Sequence, residues 1–467
     1  MTDPRLAFLA KARGAIEDQH LQAALDVVTG RFTTLRRDAF RGVPDPDGLR
    51  QRAKAIKERT LSELGRHLER LAVECHRAGT AVHVAADAGE CREIVLGLAR
   101  ARGVRSVVKS KSMVTEEVHL NAALEAAGIG VAETDVGEWI VQLAGESPSH
   151  IIAPAIHKTK EQVAALFSAA TGESLPPDPE MLTAAARRAL REKFLRADMG
   201  ISGANFAVAE TGTIVLVTNE GNDRLVTTLP RIHVAIMGME KVVPSLVDLM
   251  VFLEILARSA TGQKMSVYTN LLRGPRRPGD GEGPEEVHLI ILDNGRSRQV
   301  GGPLEESLQC LRCGACLNVC PVYKEVGGHT YEATYPGPIG ILVTSFLGDS
   351  PKNLSGASTL CGACLEVCPV QMDIPRMLLD LRREAGEKHH VGYGERLAFG
   401  AAAAVMESPA LYRLAARLAR VLQWPFLRAG RLRRLPGPLA GWTRFRDLPP
   451  VAARPFHLRW RDLEDES

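Results

Sequence analysis

Seven of the nine cysteines fall in two short runs, Cys310-x-x-Cys313-x-x-Cys316-x-x-x-Cys320-Pro321 and Cys361-x-x-Cys364-x-x-x-Cys368-Pro369. Thiolates at this spacing reach several corners of an iron-sulfur cubane from one turn of loop, and small Gly314 and Ala315 let the backbone come close. Pro321 and Pro369 lack an N–H and fix φ, so the local turn stops there and the preceding cysteine is aimed away from its own triplet. In two-cluster proteins with this run, that last cysteine serves the other cluster. The pattern assigns Cys310, Cys313, Cys316 and Cys368 to one cluster, and Cys320, Cys361 and Cys364 to a second. The second set is one thiolate short, and Ser358 stands where a complete run would carry it. Three outcomes stay open: a three-iron cluster, a [4Fe-4S] cluster with one corner held by a non-cysteine group, or an open iron. Structural zinc fits poorly, because a tetrahedral site takes four ligands. Disulfides need an oxidising compartment, for which nothing in the sequence argues. A chain built this way is expected to move electrons.

At 467 residues and 45% apolar content the chain is long enough for several cored domains. A formal net charge of +3 gives no ground for a nucleic-acid partner. Met1 to Gly14 mixes acids and bases without an apolar core of signal-peptide length, and no run reaches the roughly 18 apolar residues of a membrane span. The expected location is the cytoplasm. Cys75 and Cys91 lie in helical-looking sequence and read as small buried hydrophobes.

Residues 1–78 carry apolar residues at helical intervals, Leu61, Leu64, Leu68 and Leu71 among them, broken once by Gly42-Val43-Pro44-Asp45-Pro46-Asp47-Gly48. They read as a helical layer without chemistry of its own. From 79 to 297 the period alternates. Strands are expected at 81–85, 106–109, 130–133 and 150–154, with helices at 91–101, 116–127 and 161–169, which implies a parallel sheet. Further on come a helix from Pro179 to Leu195, a hairpin of 205–210 and 213–218 turning at Gly212, a strand at 231–237, a helix from Pro244 to Ser259, and closing strands at 264–271 and 287–292.

No Walker loop and no Gly-x-Gly-x-x-Gly between strand and helix is present, so flavin and nicotinamide binding are unsupported. Lys109, Ser110 and Lys111 follow one strand, and Asn219, Glu220 and Asn222 follow another. Lysines, hydroxyls and loop amides at strand ends are candidates to hold a carboxylate or phosphate. Glu210 is a candidate catalytic carboxylate, weighed against a cap or ion-pair partner. His157 and His233 read as structural. The cysteine segment, 302–385, is expected to lay a short apolar helix from Gly337 to Gly348 over a cluster, where burial tunes the potential.

Residues 386–467 are basic. Ser408 to Arg446 holds nine arginines and no Asp or Glu. Leu411, Leu414, Leu418, Val421 and Leu422 share a helical stripe beside Arg413, Arg417 and Arg420, which suits an acidic partner, an anionic membrane surface at its inner face, or plain solvation. The prolines of the tail imply extended chain, and Trp442, Phe445, Phe456 and Trp460 are expected to pack.

With Val108-Lys109-Ser110-Lys111-Ser112-Met113, Glu210-Thr211-Gly212-Thr213, Thr218-Asn219-Glu220-Gly221-Asn222, both cysteine runs and the Arg- and Pro-rich tail together, the chain resembles the iron-sulfur B-subunit family of three-protein L-lactate utilization systems. The resemblance covers nearly the whole length. It implies an α/β LUD-type domain, similar to sugar-phosphate isomerase and CoA-transferase folds, followed by a mainly helical two-cluster ferredoxin-type domain and a basic tail. It further implies the seven cysteine ligands, with the missing eighth thiolate a feature of the family. Oxidation of L-lactate to pyruvate is the activity it implies, alongside a cysteine-rich cluster subunit and a smaller LUD-domain subunit, with the electron acceptor unknown. The rivals are a cluster subunit resembling those of anaerobic glycerol-phosphate dehydrogenase or heterodisulfide reductase, and a non-redox isomerase or CoA-transferase with structural clusters.

Overall fold

The computed structural model describes residues 4–347, 354–387, 393–443, 446–456 and 459–460. The chain forms two compact units, Met1–Arg383 and Glu384–Ser467.

Among the described residues the first unit contains ten strands: β1 (Ala81–Ala85), β2 (Ser106–Lys109), β3 (Gly130–Glu133), β4 (Met199–Gly203), β5 (Phe206–Val208), β6 (Thr213–Thr218), β7 (Ile232–Gly238), β8 (Val242–Val243), β9 (Tyr268–Leu272) and β10 (Glu286–Leu292). Six of them make a wholly parallel sheet in the order β1-β10-β7-β4-β2-β3. All seven residues of β7 are buried, as a strand covered on both faces requires. One face packs Cys91, Val95, Leu120 and Leu124 on Val107, Ile201, Val234 and Ile290, and the other packs Trp139, Phe167 and Leu190 on Val108 and Ala132. A smaller sheet has the order β8-β5-β6-β9. Its β5–β6 hairpin turns at Gly212, where φ is +67° and a Cβ would lie 2.6 Å from the backbone of Glu74 and Cys75, so no side chain fits.

Two expected elements differ. Residues 150–154 form no strand, because His150 Nδ1 accepts the Ile152 and Ala153 N–H groups at 3.0 and 3.1 Å and so takes donors that a ladder would need. The helix expected over 116–127 is two, Met113–Glu117 and Leu120–Ala126, divided at His119 with φ +50°.

Four helices open the chain: α1 (Pro4–Glu17), α2 (Gln19–Arg41), α3 (Pro46–Ser62) and α4 (Leu64–Arg77). The Gly42–Gly48 break supplies Asp45, which caps α3 through Gly48 N at 2.9 Å. Leu25, Leu49, Ile56 and Leu71 join Phe206, Phe252, Leu317 and Tyr323 in one core. The opening helices, the smaller sheet and the cysteine segment therefore bury their apolar faces against one another.

Two groups of buried charges are paired. Arg296 reaches Glu117 and Glu240 at 2.8 Å, all three at most 2% exposed, and Tyr335 donates to Glu117 at 2.8 Å, tying the parallel sheet to the cysteine segment. Lys109 is fully buried and donates to Thr115 at 2.8 Å, Glu116 at 2.9 Å and Glu133 at 2.7 Å. Burial opposes its charge, and Glu133, Glu116 and Glu138 outweigh that and raise its pKa.

In the second unit, helices Tyr393–Glu407 and Pro409–Leu422 precede a two-stranded hairpin, Leu427–Arg428 with Arg431–Leu432. Ser408 caps the second helix, whose stripe at Leu411, Leu414, Leu418, Val421 and Leu422 is 45–71% exposed. Trp442, Phe456 and Trp460 are also exposed rather than packed away, with Phe456 and Trp460 touching each other at 5.5 Å between ring centroids. Phe445 and Gly348 lie outside the described residues. Among the described residues no helix is long and apolar enough to cross a membrane.

Replacing Lys109 with Met strands Glu116 and Glu133 and is expected to cost about 3–5 kcal/mol. Anaerobic urea unfolding of the full chain measures it, with Glu210→Gln, a surface cap, changing stability by less than about 1 kcal/mol.

Candidate functional site

The two cysteine runs fold as copies of one loop. Residues 313–321 and 361–369 differ only at Asn318 and Glu366. Gly314 and Gly362 both take the left-handed conformation, at φ +73° and +86°, and each opens a short helix, Ala315–Val319 or Ala363–Val367. Arg312 and Leu360 also have positive φ. Within this repeat Ser358 takes the place of Cys310. Its Oγ accepts the Leu360 N–H at 3.2 Å, as the Cys310 Sγ accepts that of Arg312 at 3.3 Å.

Six of the seven thiols are buried, and Cys361 is exposed. The loops bring Cys368 among Cys310, Cys313 and Cys316. After burial, Cys310 and Cys368 are the thiols that raise Cys313, and Cys310, Cys313, Cys364 and Cys368 those that raise Cys316. Cys364 is raised by burial and then by Cys320, with a smaller contribution from Cys361. Burial pushes Cys313 and Cys364 up to about 12 and Cys368 to about 11. Thiols so crowded and dry carry charge together only when a metal cation meets them. Backbone N–H groups point at the sulfurs, from Tyr323 to Cys320 at 3.5 Å, from Ala363 to Cys361, and from Met372 and Val370 to Cys368. An all-sulfur donor set with amide hydrogen bonds suits iron-sulfur clusters.

The opening helices supply positive charge to this centre, which the sequence reading missed. Arg36 donates to the Val367 carbonyl at 2.8 Å, and Arg50 to those of Glu366 at 2.8 Å and Cys368 at 2.9 Å. Lys57 donates to the Glu240 carbonyl at 2.5 Å, and Lys241 to that of Cys310 at 3.3 Å. Arg50, Lys54 and Lys57 recur at helical spacing on α3, the one local signal of a basic face turned inward. Apolar cover comes from helix Gly337–Thr344, buried throughout, whose Gly337 sits against Leu317.

Beside the Cys310 loop lies a cavity of about 410 Å³ at the carboxyl ends of β4 and β7. Its lining includes the charged group Lys111, Asp135, Glu220 and Asp223 as well as Lys241, Leu311 and Arg312. Burial lifts Glu220 to about 7, reinforced by Asp135, and lifts Asp223 to about 6 against a hydrogen bond from Ser110.

Three regions match known families: a LUD domain over residues 68–292, a 4Fe-4S dicluster domain over 306–372, and a lactate utilisation protein B C-terminal region over 381–464. The chain is 42% identical to "Lactate utilization protein B" of Shouchella clausii over 96% of its own length and 95% of that protein, and 42% identical to that of Bacillus velezensis over 98% of each. The protein of that name from Bacillus subtilis is 41% identical over 98% of this chain and 95% of its own length. The chain belongs to the lactate utilization protein B family.

This lactate utilization protein B homologue carries iron-sulfur clusters of the 4Fe-4S dicluster type, whose domain spans both cysteine runs. Of its other candidate residues, Lys111, Asn219 and Glu220 line the cavity, while Lys109, Ser110 and Asn222 are buried, Asn222 donating to Thr134 at 3.3 Å. Glu210 lies outside the cavity lining and accepts the Leu246 N–H at 3.1 Å, the cap that the sequence reading weighed against catalysis. His233 bonds Ser202 at 2.9 Å, a structural contact. Glu146, His157 and His329 gather closely, and Lys158 already pairs with Glu146 there. The cavity residues Asp135, Lys241 and Arg312 were not singled out by sequence, because chain-distant loops assemble them, whereas Asp223 directly follows Asn222 in a stretch that was.

Raised carboxyl pKa values carry a stability cost. Between the usual value of 4.5 and about 7 the folded state binds the extra proton of Glu220, so stability falls as pH rises through that window. Glu220→Gln is therefore expected to be more stable than the parent by about 1–3 kcal/mol at pH 8, the difference narrowing toward pH 5, in anaerobic urea unfolding.

Proposed function

We propose that this chain is the cytoplasmic electron-transfer subunit of an assembly that oxidises L-lactate to pyruvate, letting lactate serve as a carbon source. Its partners in this reading are a cysteine-rich cluster subunit and a smaller LUD-domain subunit. The single observation that carries it is the shared wall. Leu311 and Arg312, which separate Cys310 from Cys313, also line the cavity at the carboxyl ends of the parallel sheet. Pockets of α/β sheets gather at such ends.

The ligand sets proposed are Cys310, Cys313, Cys316 and Cys368 for one cluster, and Cys320, Cys361 and Cys364 for the other, with Ser358 beside the corner left over. Bound there, the clusters supply one-electron carriers. The chain's own residues do the rest. Arg36, Arg50, Lys57, Lys241 and Arg312 offset the negative charge of the thiolates, and helix Gly337–Thr344 keeps water from the inner set. Exposed Cys361 brings the outer set to the surface, where a partner subunit can exchange electrons.

Anaerobic purification is expected to yield coloured protein with about seven to eight irons per chain and cluster signals in EPR after reduction. A deletion strain is expected to lose growth on L-lactate, with Cys313→Ser and Cys364→Ser failing to restore it. Colourless protein that holds only zinc, or full rescue by both variants, contradicts the proposal.

A further inference from the structure

Most of the charge around the cavity is already matched. Arg296 is held by Glu117 and Glu240, and Asp135 accepts the Gly137 and Glu138 N–H groups at 3.0 and 3.2 Å. Arg312 is different. Its guanidinium lies over the Tyr335 ring at 4.6 Å and 3.7 Å from Glu240, and its Nη1 is buried without a hydrogen-bond partner. A rigidly held, desolvated guanidinium with a donor to spare favours an acceptor in the space beside it. Lys241 borders the same space, donating to the Cys310 carbonyl with one of its ammonium hydrogens. Lys57, Lys241, Arg296 and Arg312 gather here with the buried carboxylates of Glu117 and Glu240 and the Cys310 sulfur, and among them Arg312 keeps an unused donor.

The acidic part of the lining sets the class of anion. Asp135, Glu220 and Asp223 gather there around Lys111, so a second negative charge on a ligand would meet three carboxyl groups. The apolar side chains of Leu216, Ile236 and Met237 line the cavity as well and suit an aliphatic body. Resting on the redox reading above, we propose that the cavity is a binding site for a small aliphatic monocarboxylate, its carboxylate anchored by Arg312 and Lys241 against the Cys310 loop. No covalent or redox step is part of this assignment. It makes Arg312 a substrate anchor as well as a neighbour of the metal centre.

Anaerobic titration calorimetry on the cluster-loaded full chain tests it, with L-lactate and pyruvate as probes and propane-1,2-diol and inorganic phosphate as comparisons. Saturable binding of L-lactate or pyruvate is expected, with no binding of the diol and weaker binding of phosphate. Arg312→Leu and Lys241→Met are each expected to weaken the monocarboxylate about tenfold or more. Iron content is measured on every sample, and if Arg312→Leu loses iron, Lys241→Met and the comparison of probes decide. Cluster-loaded protein that binds neither acid, variants of unchanged affinity, or a preference for phosphate overturns the assignment while leaving the redox reading intact. Protein without reducible iron that still binds L-lactate through Arg312 keeps the site and removes the redox reading.

Discussion

Seven thiols drawn together, six of them in a space that water scarcely reaches, is the constraint on which the rest of this structure turns. Unmetallated, the buried thiols Cys313, Cys364 and Cys368 are pushed to about 11–12, so the site is poor at holding charge by itself. Metal ions and surrounding cations solve the same problem together. This accounts for the long reach of α2 and α3, whose Arg36, Arg50 and Lys57 come from the far end of the chain to carbonyls in and around the cysteine loops. The opening helices are thus part of the metal centre's wall, and their apolar faces share its core.

The same centre is joined to the parallel sheet by a second set of buried charges. Arg296, at the end of β10, pairs with Glu117 and Glu240, and Tyr335 of the cysteine segment donates to Glu117. Such pairs give little net stability against apolar replacements, but they fix one arrangement because any other leaves a charge stranded. Here the arrangement places the Cys310 loop as a wall of the cavity. The two cysteine sets differ in kind: the inner one is dry and ringed by cations, while the outer one reaches solvent at Cys361.

What could be read from sequence was what is local. The cysteine spacing carries its own chemistry, and the apolar runs Val107-Val108 and Val287 to Leu292 mark buried parallel strands without help from the rest of the chain. Residues 150–154 misled because their apolar content suits a strand, while the His150 ring spends their N–H groups on a turn. Lys109 is a candidate anion holder by sequence since it ends a strand, and Glu133 on the neighbouring strand, unreadable as its partner beforehand, draws it inward. The cations around the thiols and the cavity's Lys241 and Arg312 depend on contacts between residues far apart in sequence, where no spacing rule reports them. The loop repeat that sets Ser358 opposite Cys310 was visible in the residues themselves, but its matching hydrogen bond needed coordinates.

The central claim is that each proline-flanked cysteine crosses to the other loop's cluster. EPR-monitored redox titration of anaerobic single variants tests it most directly, with Cys313→Ser and Cys364→Ser marking the inner and outer signals. If the crossing is right, Cys368→Ser perturbs the signal lost in Cys313→Ser, and Cys320→Ser the one lost in Cys364→Ser. Should Cys368→Ser instead abolish the Cys364 signal and leave the Cys313 signal unchanged, each loop holds its own cluster and the account is contradicted.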